Sequence, residues 1–205
     1  MLKILGRKTS SNVQKVLWCC DELDIAFERE DIGGKFGKNH ESAYLALNPN
    51  GRVPTINDDG FILWESNAIV RYLSAKHGMG TLYPTELHSR ADADRWMDWQ
   101  QTTLRTPMRT LSRALQTPAP EPVEAAQLES AKKDAGDAWK ILDAQLAKQP
   151  FVAGMNLTMA DIAFCSNIHR WNQLPIERPA LPNLKAWHDR LCERRGFRRH
   201  VLDVG

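Results

Sequence analysis

The sequence predicts an α/β domain, built on a four-stranded mixed sheet with helices on both faces, followed by an all-α domain. Three observations carry this reading. Short apolar runs alternate with a helical pattern over residues 1–77. Two of those runs flank Asp58-Asp59-Gly60, a strong hairpin signal. Strand patterning is absent after residue 87, where only helical periodicity remains.

Taken in order, Leu2 to Leu5 and Phe27 to Ile32 read as strands. Between them a helix is expected from about Val13 to Leu23, its apolar Val16, Leu17 and Cys20 at helical spacing. Val53 to Asn57 and Phe61 to Leu63 form the arms of the hairpin, and a helix from Glu65 to about His77 closes the unit. Gly78 to Leu87, with two glycines and Pro84, reads as a linker, so the expected domains are residues 1–78 and 88–205 with 79–87 between them. Helices are expected from His88 to about Thr117, Pro122 to about Gln149, Thr158 to about Gln173 and Pro182 to about Glu193. Thr117-Pro118-Ala119-Pro120-Glu121-Pro122 separates the first two sharply. Thr158 with Asp161 three residues on is a variant of the capping box, and its role is structural.

Composition narrows the function classes. The 205 residues are enough for one or two small domains with a real core. A net charge of +2 gives no global field for nucleic acid or an anionic membrane. No apolar run reaches the roughly 18 residues needed to span a bilayer. Met1-Leu2-Lys3-Ile4-Leu5 leads directly into polar residues and lacks a signal-peptide stretch. Cys19, Cys20, Cys165 and Cys192 make no CxxC, and the six histidines show no HExxH or paired spacing, so no metal site is expected. A reduced cytosolic enzyme fits these facts.

Two segments carry more specific information. Asn48-Pro49-Asn50-Gly51-Arg52-Val53-Pro54 sets a turn directly before a short apolar run, with Pro54 where a strand should begin. Trp64-Glu65-Ser66-Asn67 then opens an amphipathic helix with an acid and a hydroxyl, groups that satisfy free N–H donors or grip a small polar ligand. In this order and at this separation, they resemble the glutathione-binding half of the glutathione transferases, closest to the bacterial theta-like, serine-type members. There, Val-Pro with a cis proline precedes a strand and Glu-Ser begins the next helix.

The resemblance implies a thioredoxin-like first domain that binds glutathione as co-substrate, and a helical second domain that supplies the pocket for an electrophile. It also implies a homodimer in the cytoplasm. Dehalogenation or peroxidase side activity belongs to the same chemistry. Residue by residue, Glu65 and Ser66 are expected to hold the γ-glutamyl end. Val53 pairs its backbone with the cysteinyl peptide as an added strand, and Pro54, if cis, holds that backbone outward. His40 and Arg52 are expected at the glycyl carboxylate, with Lys38 a nearby spare.

The thiol itself needs a donor near the start of the first helix, where the dipole and free N–H groups favour an anion. In the loop Gly6 to Asn12, Ser10 matches the family serine and Val16 its helix valine, while Asn12 replaces a proline. Ser10 is therefore the first candidate for the catalytic donor. Ser11 and Asn12 remain open, as donors or as helix caps. The loop has no Tyr and no Cys.

In the second half, Trp96, Trp99, Leu104, Met108 and Trp171 read mostly as core. Arg105 and Arg109 lie one turn apart; facing the cleft they favour acidic or polarised substrates, and otherwise they serve a dimer surface or solvent. Arg194, Arg195, Arg198, Arg199 and His200 read as a solvated basic tail. Two other functions are compatible with the fold. One is a non-catalytic binding protein of the stringent-starvation type, which the retained Glu65-Ser66 argues against. The other is a glutathione-dependent thiol oxidoreductase, which the missing loop Cys argues against.

Overall fold

The computed structural model describes residues 1–115 and 122–204. The first half contains β1 (Leu2–Leu5), α1 (Ser11–Glu22), β2 (Phe27–Glu30), α2 (Ser42–Leu45), β3 (Thr55–Asp58), β4 (Phe61–Trp64) and α3 (Ser66–His77). The strands form one four-stranded sheet in the order β2-β1-β3-β4. β1 runs parallel to β2 and antiparallel to β3, and β3 and β4 are the hairpin. Both turn residues lie at positive φ, Asp59 at 50° and Gly60 at 99°. That is what a tight hairpin with right-handed strand twist requires, and it is why Asp-Gly marks the turn in the sequence.

The second half is helical: α4 (Leu87–Trp99), α5 (Arg105–Leu115), α6 (Ala125–Leu146), α7 (Met159–Gln173), α8 (Pro182–Cys192) and the single turn α9 (Arg195–Phe197). The expected helix over 88–117 is thus interrupted. Gln100–Leu104 is a π-helical turn between α4 and α5. Pro107 accounts for it, because it carries no N–H for the carbonyl four residues back and so shifts the preceding turn toward wider pairing. The proline-rich break after Thr117 lies, except for Pro122, outside the described residues.

α1 joins the two halves. Its residues from Val13 to Cys20 are all buried, because the helix is packed against α3 on one side and α7 on another. Both Cys19 and Cys20 are therefore in the core. The core runs without a break from the sheet through α1 into the cluster of Trp139, Phe164 and Trp187.

Several boundaries move from the sequence reading. β2 stops at Glu30, α6 starts at Ala125, and β3 begins at Thr55 because Val53-Pro54 stands outside the ladder. Of the basic tail, Arg195, Arg198 and Arg199 are exposed as expected, whereas Arg194 and His200 are drawn inward. Arg194 pairs with Glu22, Arg199 lies 3.6 Å from Asp21, and buried His200 lies 3.0 Å from Asp21. Phe197 is buried beneath them, 5.1 Å from Trp18. Among the described residues, no helix is long and apolar enough to cross a membrane.

Candidate active site

Three backbone features of the first half converge on α1. The first is the Val53–Pro54 peptide, which is cis. Buried Tyr44 and Asn48 hold it from behind. The Tyr44 hydroxyl and Asn48 Nδ2 both donate to the Arg52 carbonyl at 2.7 Å. Both also reach Thr55 Oγ1, at 2.8 and 3.1 Å. The residues before and after Val53-Pro54 are thereby fixed, and the Val53 backbone is free to pair outward. Sequence reading missed Tyr44 because α2 is a single turn, too short to carry a periodic signal, and treated Asn48 only as part of a turn.

The second feature is the start of α3. Glu65 occupies its N-cap at φ +73°, a conformation uncommon for a residue with a side chain, and it is exposed. No side chain caps the helix, so its first N–H groups stay available next to buried Ser66. Asn67 is clamped more tightly: it donates to the Met97 carbonyl at 2.9 Å and accepts from Lys15 Nζ at 3.0 Å.

The third feature is the start of α1. The helix begins two residues earlier than its periodicity indicates, which puts Ser10 at the N-cap and Ser11 and Asn12 in the first turn. Ser10 makes no side-chain capping bond, and all three residues are half-buried. Gly6 brings this segment against Val53: a Cβ there would stand 2.6 Å from Val13 Cγ2 and 3.1 Å from Val53 Cβ. Only glycine permits that approach. The Val53 edge, the α3 N-terminus and the α1 N-terminus are thus held together through Gly6 and Lys15.

At the expected glycyl end, His40 is exposed with its ring packed against Gly51, where a Cβ would lie 2.8 Å from Nδ1. The Arg52 side chain is exposed as well. Lys38, the nearby spare, is exposed and pairs with exposed Glu30 at 2.9 Å.

Beyond the α1 N-terminus a cavity of about 480 Å³ opens between α1, α5 and α7. Ser11, Asn12, Lys15, Arg105, Arg109 and Arg170 are on its wall. Of the large apolar residues singled out in the sequence only Met108 reaches it, while Trp96, Leu104 and Trp171 are core. Trp99 is half-buried against Trp96 and Phe164. Arg105 and Arg109 do face this cavity. Lys15 and Arg170 went unnoticed, although a lysine within an otherwise apolar helical run was a usable signal. Lys15 is buried and bonded only to the neutral amides of Asn67 and Gln100, both at 3.0 Å. Burial lowers its pKa to about 8.

The cysteines are poor nucleophiles. Burial pushes Cys19 up to about 12 and raises Cys20, Cys165 and Cys192 as well.

Comparison with known proteins agrees with this geometry. Residues 9–76 match the glutathione S-transferase N-terminal domain, and residues 103–195 the glutathione S-transferase C-terminal domain. The chain is 38% identical over 204 residues to the Escherichia coli glutathione S-transferase GstB, covering 98% of each. It is 29% identical over 180 residues to the E. coli disulfide-bond oxidoreductase YfcG, covering 84% of this chain and 81% of that one. The crystal structure of a theta class glutathione S-transferase from Xanthomonas axonopodis pv. citri, with glutathione bound, superposes with a TM-score of 0.92. Its identity is 44%, with 98% of this chain and 97% of that chain covered. On fold, site architecture and sequence together, the chain belongs to the glutathione S-transferase family.

Proposed function

We propose that the protein conjugates the glutathione thiolate to a small electrophile. The observation that carries this is the meeting of three backbone edges at α1: the cis Val53-Pro54 step, the uncapped α3 N-terminus and the Ser10 N-cap. Glutathione offers a matching series of groups. Its γ-glutamyl carboxylate takes Ser66 and the free α3 N–H groups, and its ammonium takes Glu65. The cysteinyl peptide pairs with the Val53 backbone. The glycyl carboxylate lies toward His40 and Arg52. The sulfur then reaches the α1 N-terminus, where Ser10 donates to the thiolate and the helix dipole stabilises it. Attack on the electrophile forms a C–S bond, and the leaving group departs with the electron pair.

The thiol-oxidoreductase reading draws support from the likeness to YfcG. It lacks a protein thiolate, since burial raises all four cysteine thiols. A calorimetric titration with glutathione, followed by a panel of haloalkanoic acids, aryl halides, isothiocyanates and peroxides, tests the proposal. Absence of glutathione binding at millimolar concentration rejects it.

Ser66→Ala removes one partner of the γ-glutamyl carboxylate. Hydrogen bonds to charged groups are worth roughly 1.5–3 kcal/mol, so glutathione affinity is expected to fall about tenfold or more. An unchanged dissociation constant places the ligand elsewhere.

Residues 1–78 act as the glutathione domain and 88–205 as the helical domain, with detoxification in the reduced cytoplasm as the role. The protein acts as a homodimer. The apolar side chains of α4 and α5 do not argue for one, because Met97, Leu104, Met108 and Leu111 are buried within the chain. The support is instead Phe61 and Trp64 on the edge strand β4 and Leu87 at the start of α4, all exposed. Light scattering at micromolar concentration is expected to give twice the chain mass, and a clean monomer rejects the claim.

A further inference from the structure

We infer that the cavity beside the α1 N-terminus is an anion subsite, and that the second substrate is a small electrophile carrying a carboxylate. The inference rests on the glutathione-transfer reading and goes beyond it by naming the class of electrophile.

Among the described residues the cavity wall carries the cationic side chains of Lys15, Arg105, Arg109 and Arg170 and no carboxylate. The whole chain has a net charge of only +2, so this concentration is local. Elsewhere several arginines find acids, as Arg71 does with Asp94 and Asp98, Arg29 with Asp31 and Arg194 with Glu22, while Arg178 and Arg190 bond backbone carbonyls. Arg105 and Arg109 have no hydrogen-bond or ion-pair partner among the described residues. Two guanidiniums one helical turn apart, facing the same cavity, form a surface suited to a planar oxyanion.

Lys15 makes the case stronger. It is only 3% exposed, its Nζ donates to Asn67 and Gln100, and an ammonium has three donors. One N–H is thus uncommitted among the described residues, on a side chain that belongs to the cavity wall. Burial and, more weakly, the nearby Arg105 disfavour its charge, whereas Cys165 and Glu65 favour it. Glu65 is the group assigned to the glutathione ammonium, so it is not free to neutralise the cavity as well. Arg170 is half-buried on the same wall, its pKa lowered by burial and by Arg7 against an opposing effect of Cys165. An isolated buried cation is costly, and a cleft of one sign concentrates the opposite charge. The missing negative charge is supplied by the ligand. A volume of about 480 Å³ fits a small molecule rather than a peptide.

The arrangement also has a kinetic logic. A thiolate and a carboxylate repel as they approach, and the arginines and Lys15 offset that repulsion from the cavity wall that Ser11 and Asn12 share, one step beyond the Ser10 hydroxyl where the sulfur arrives. With a chloronitrobenzoate, the thiolate sulfur bonds to the carbon bearing chlorine and the ring holds the electron pair. Chloride then leaves with its bonding pair, and the carboxylate stays in the arginine subsite throughout.

The test compares two near-isosteric ligands: the glutathione conjugate of 4-chloro-3-nitrobenzoate and that of 4-chloro-3-nitrobenzamide. Calorimetric titration is expected to show the carboxylate conjugate binding about tenfold tighter or more, with the gap narrowing as salt rises. In Arg105→Gln/Arg109→Gln the two affinities should come within about twofold of each other. Because the readout is a ratio within one protein, a general loss of folding does not imitate it. Equal affinities in the unmodified protein, or a ratio that survives the double substitution, overturn the inference while glutathione itself still binds. If glutathione and both conjugates all fail to bind, the transfer reading falls and takes this inference with it.

Discussion

Asp161→Ala is expected to destabilise the protein by several kcal/mol and to leave little folded material at 37 °C. Asp161 is fully buried at the start of α7, and both carboxylate oxygens are occupied. Oδ1 accepts from the Val152 N–H and from Trp187 Nε1, each at 2.9 Å. Oδ2 accepts from the Thr158 N–H at 2.9 Å and from Thr158 Oγ1 at 3.3 Å. One side chain therefore ties the loop before α7, the first turn of α7 and the inner face of α8. Alanine leaves three buried N–H groups without a partner, at about 1–3 kcal/mol each. Against a total stability of about 5–15 kcal/mol, that is a large fraction. Asp161→Asn keeps the shape but turns an NH₂ toward donors, so it should also be strongly destabilised. Urea unfolding followed by tryptophan fluorescence measures both. A loss under about 1 kcal/mol would show that the network is dispensable.

This capping network was readable in the sequence only in part. Thr158 and Asp161 stand at the spacing of a capping box and the apolar run follows, so the local motif is visible. The bond to Trp187 is not, because nothing local links residues 26 positions apart. The same division holds through the chain. Asp59-Gly60 fixes the hairpin by backbone sterics, and the cis step at Val53-Pro54 was implied by the family likeness. The π turn at Gln100–Leu104 depends on Pro107, a helix-interior proline whose effect falls on the turn before it. In the C-terminal segment Arg195, Arg198 and Arg199 are exposed, as their charge suggests, and what the basic run hides is the docking of the segment by buried Phe197, His200 and Val201. Clusters made by distant residues were hardest to see. Lys15, Arg105, Arg109 and Arg170 lie on three helices, and only the packing of α1, α5 and α7 brings them to one cavity.

Ser10→Ala is expected to cut turnover at neutral pH by about tenfold to thirtyfold while leaving glutathione affinity nearly intact. The Ser10 hydroxyl caps nothing, so it is available to a ligand. The contact of Gly6 with Val13 and Val53 holds the start of α1 beside the strand edge where the cysteinyl group pairs. Ser11 and Asn12 lie one step further, on the wall shared with Arg105. A free thiol with a pKa of about 8.5 is roughly 3% ionised at pH 7. A donated hydrogen bond that lowers this by one to two units raises the thiolate to about 24–76%, and each unit is worth about 1.4 kcal/mol. The advantage is greatest below the free thiol pKa and vanishes above it, where glutathione ionises unaided. The defect of Ser10→Ala should accordingly shrink as pH rises toward 9. Asn12→Ala is the competing test, because Asn12 stands where the family has a proline and its amide could donate to the sulfur. Ultraviolet absorbance of bound glutathione near 240 nm reads the thiolate in each variant. Loss of that absorbance in Asn12→Ala, with its retention in Ser10→Ala, would move the thiolate donor from the N-cap into the first turn of α1.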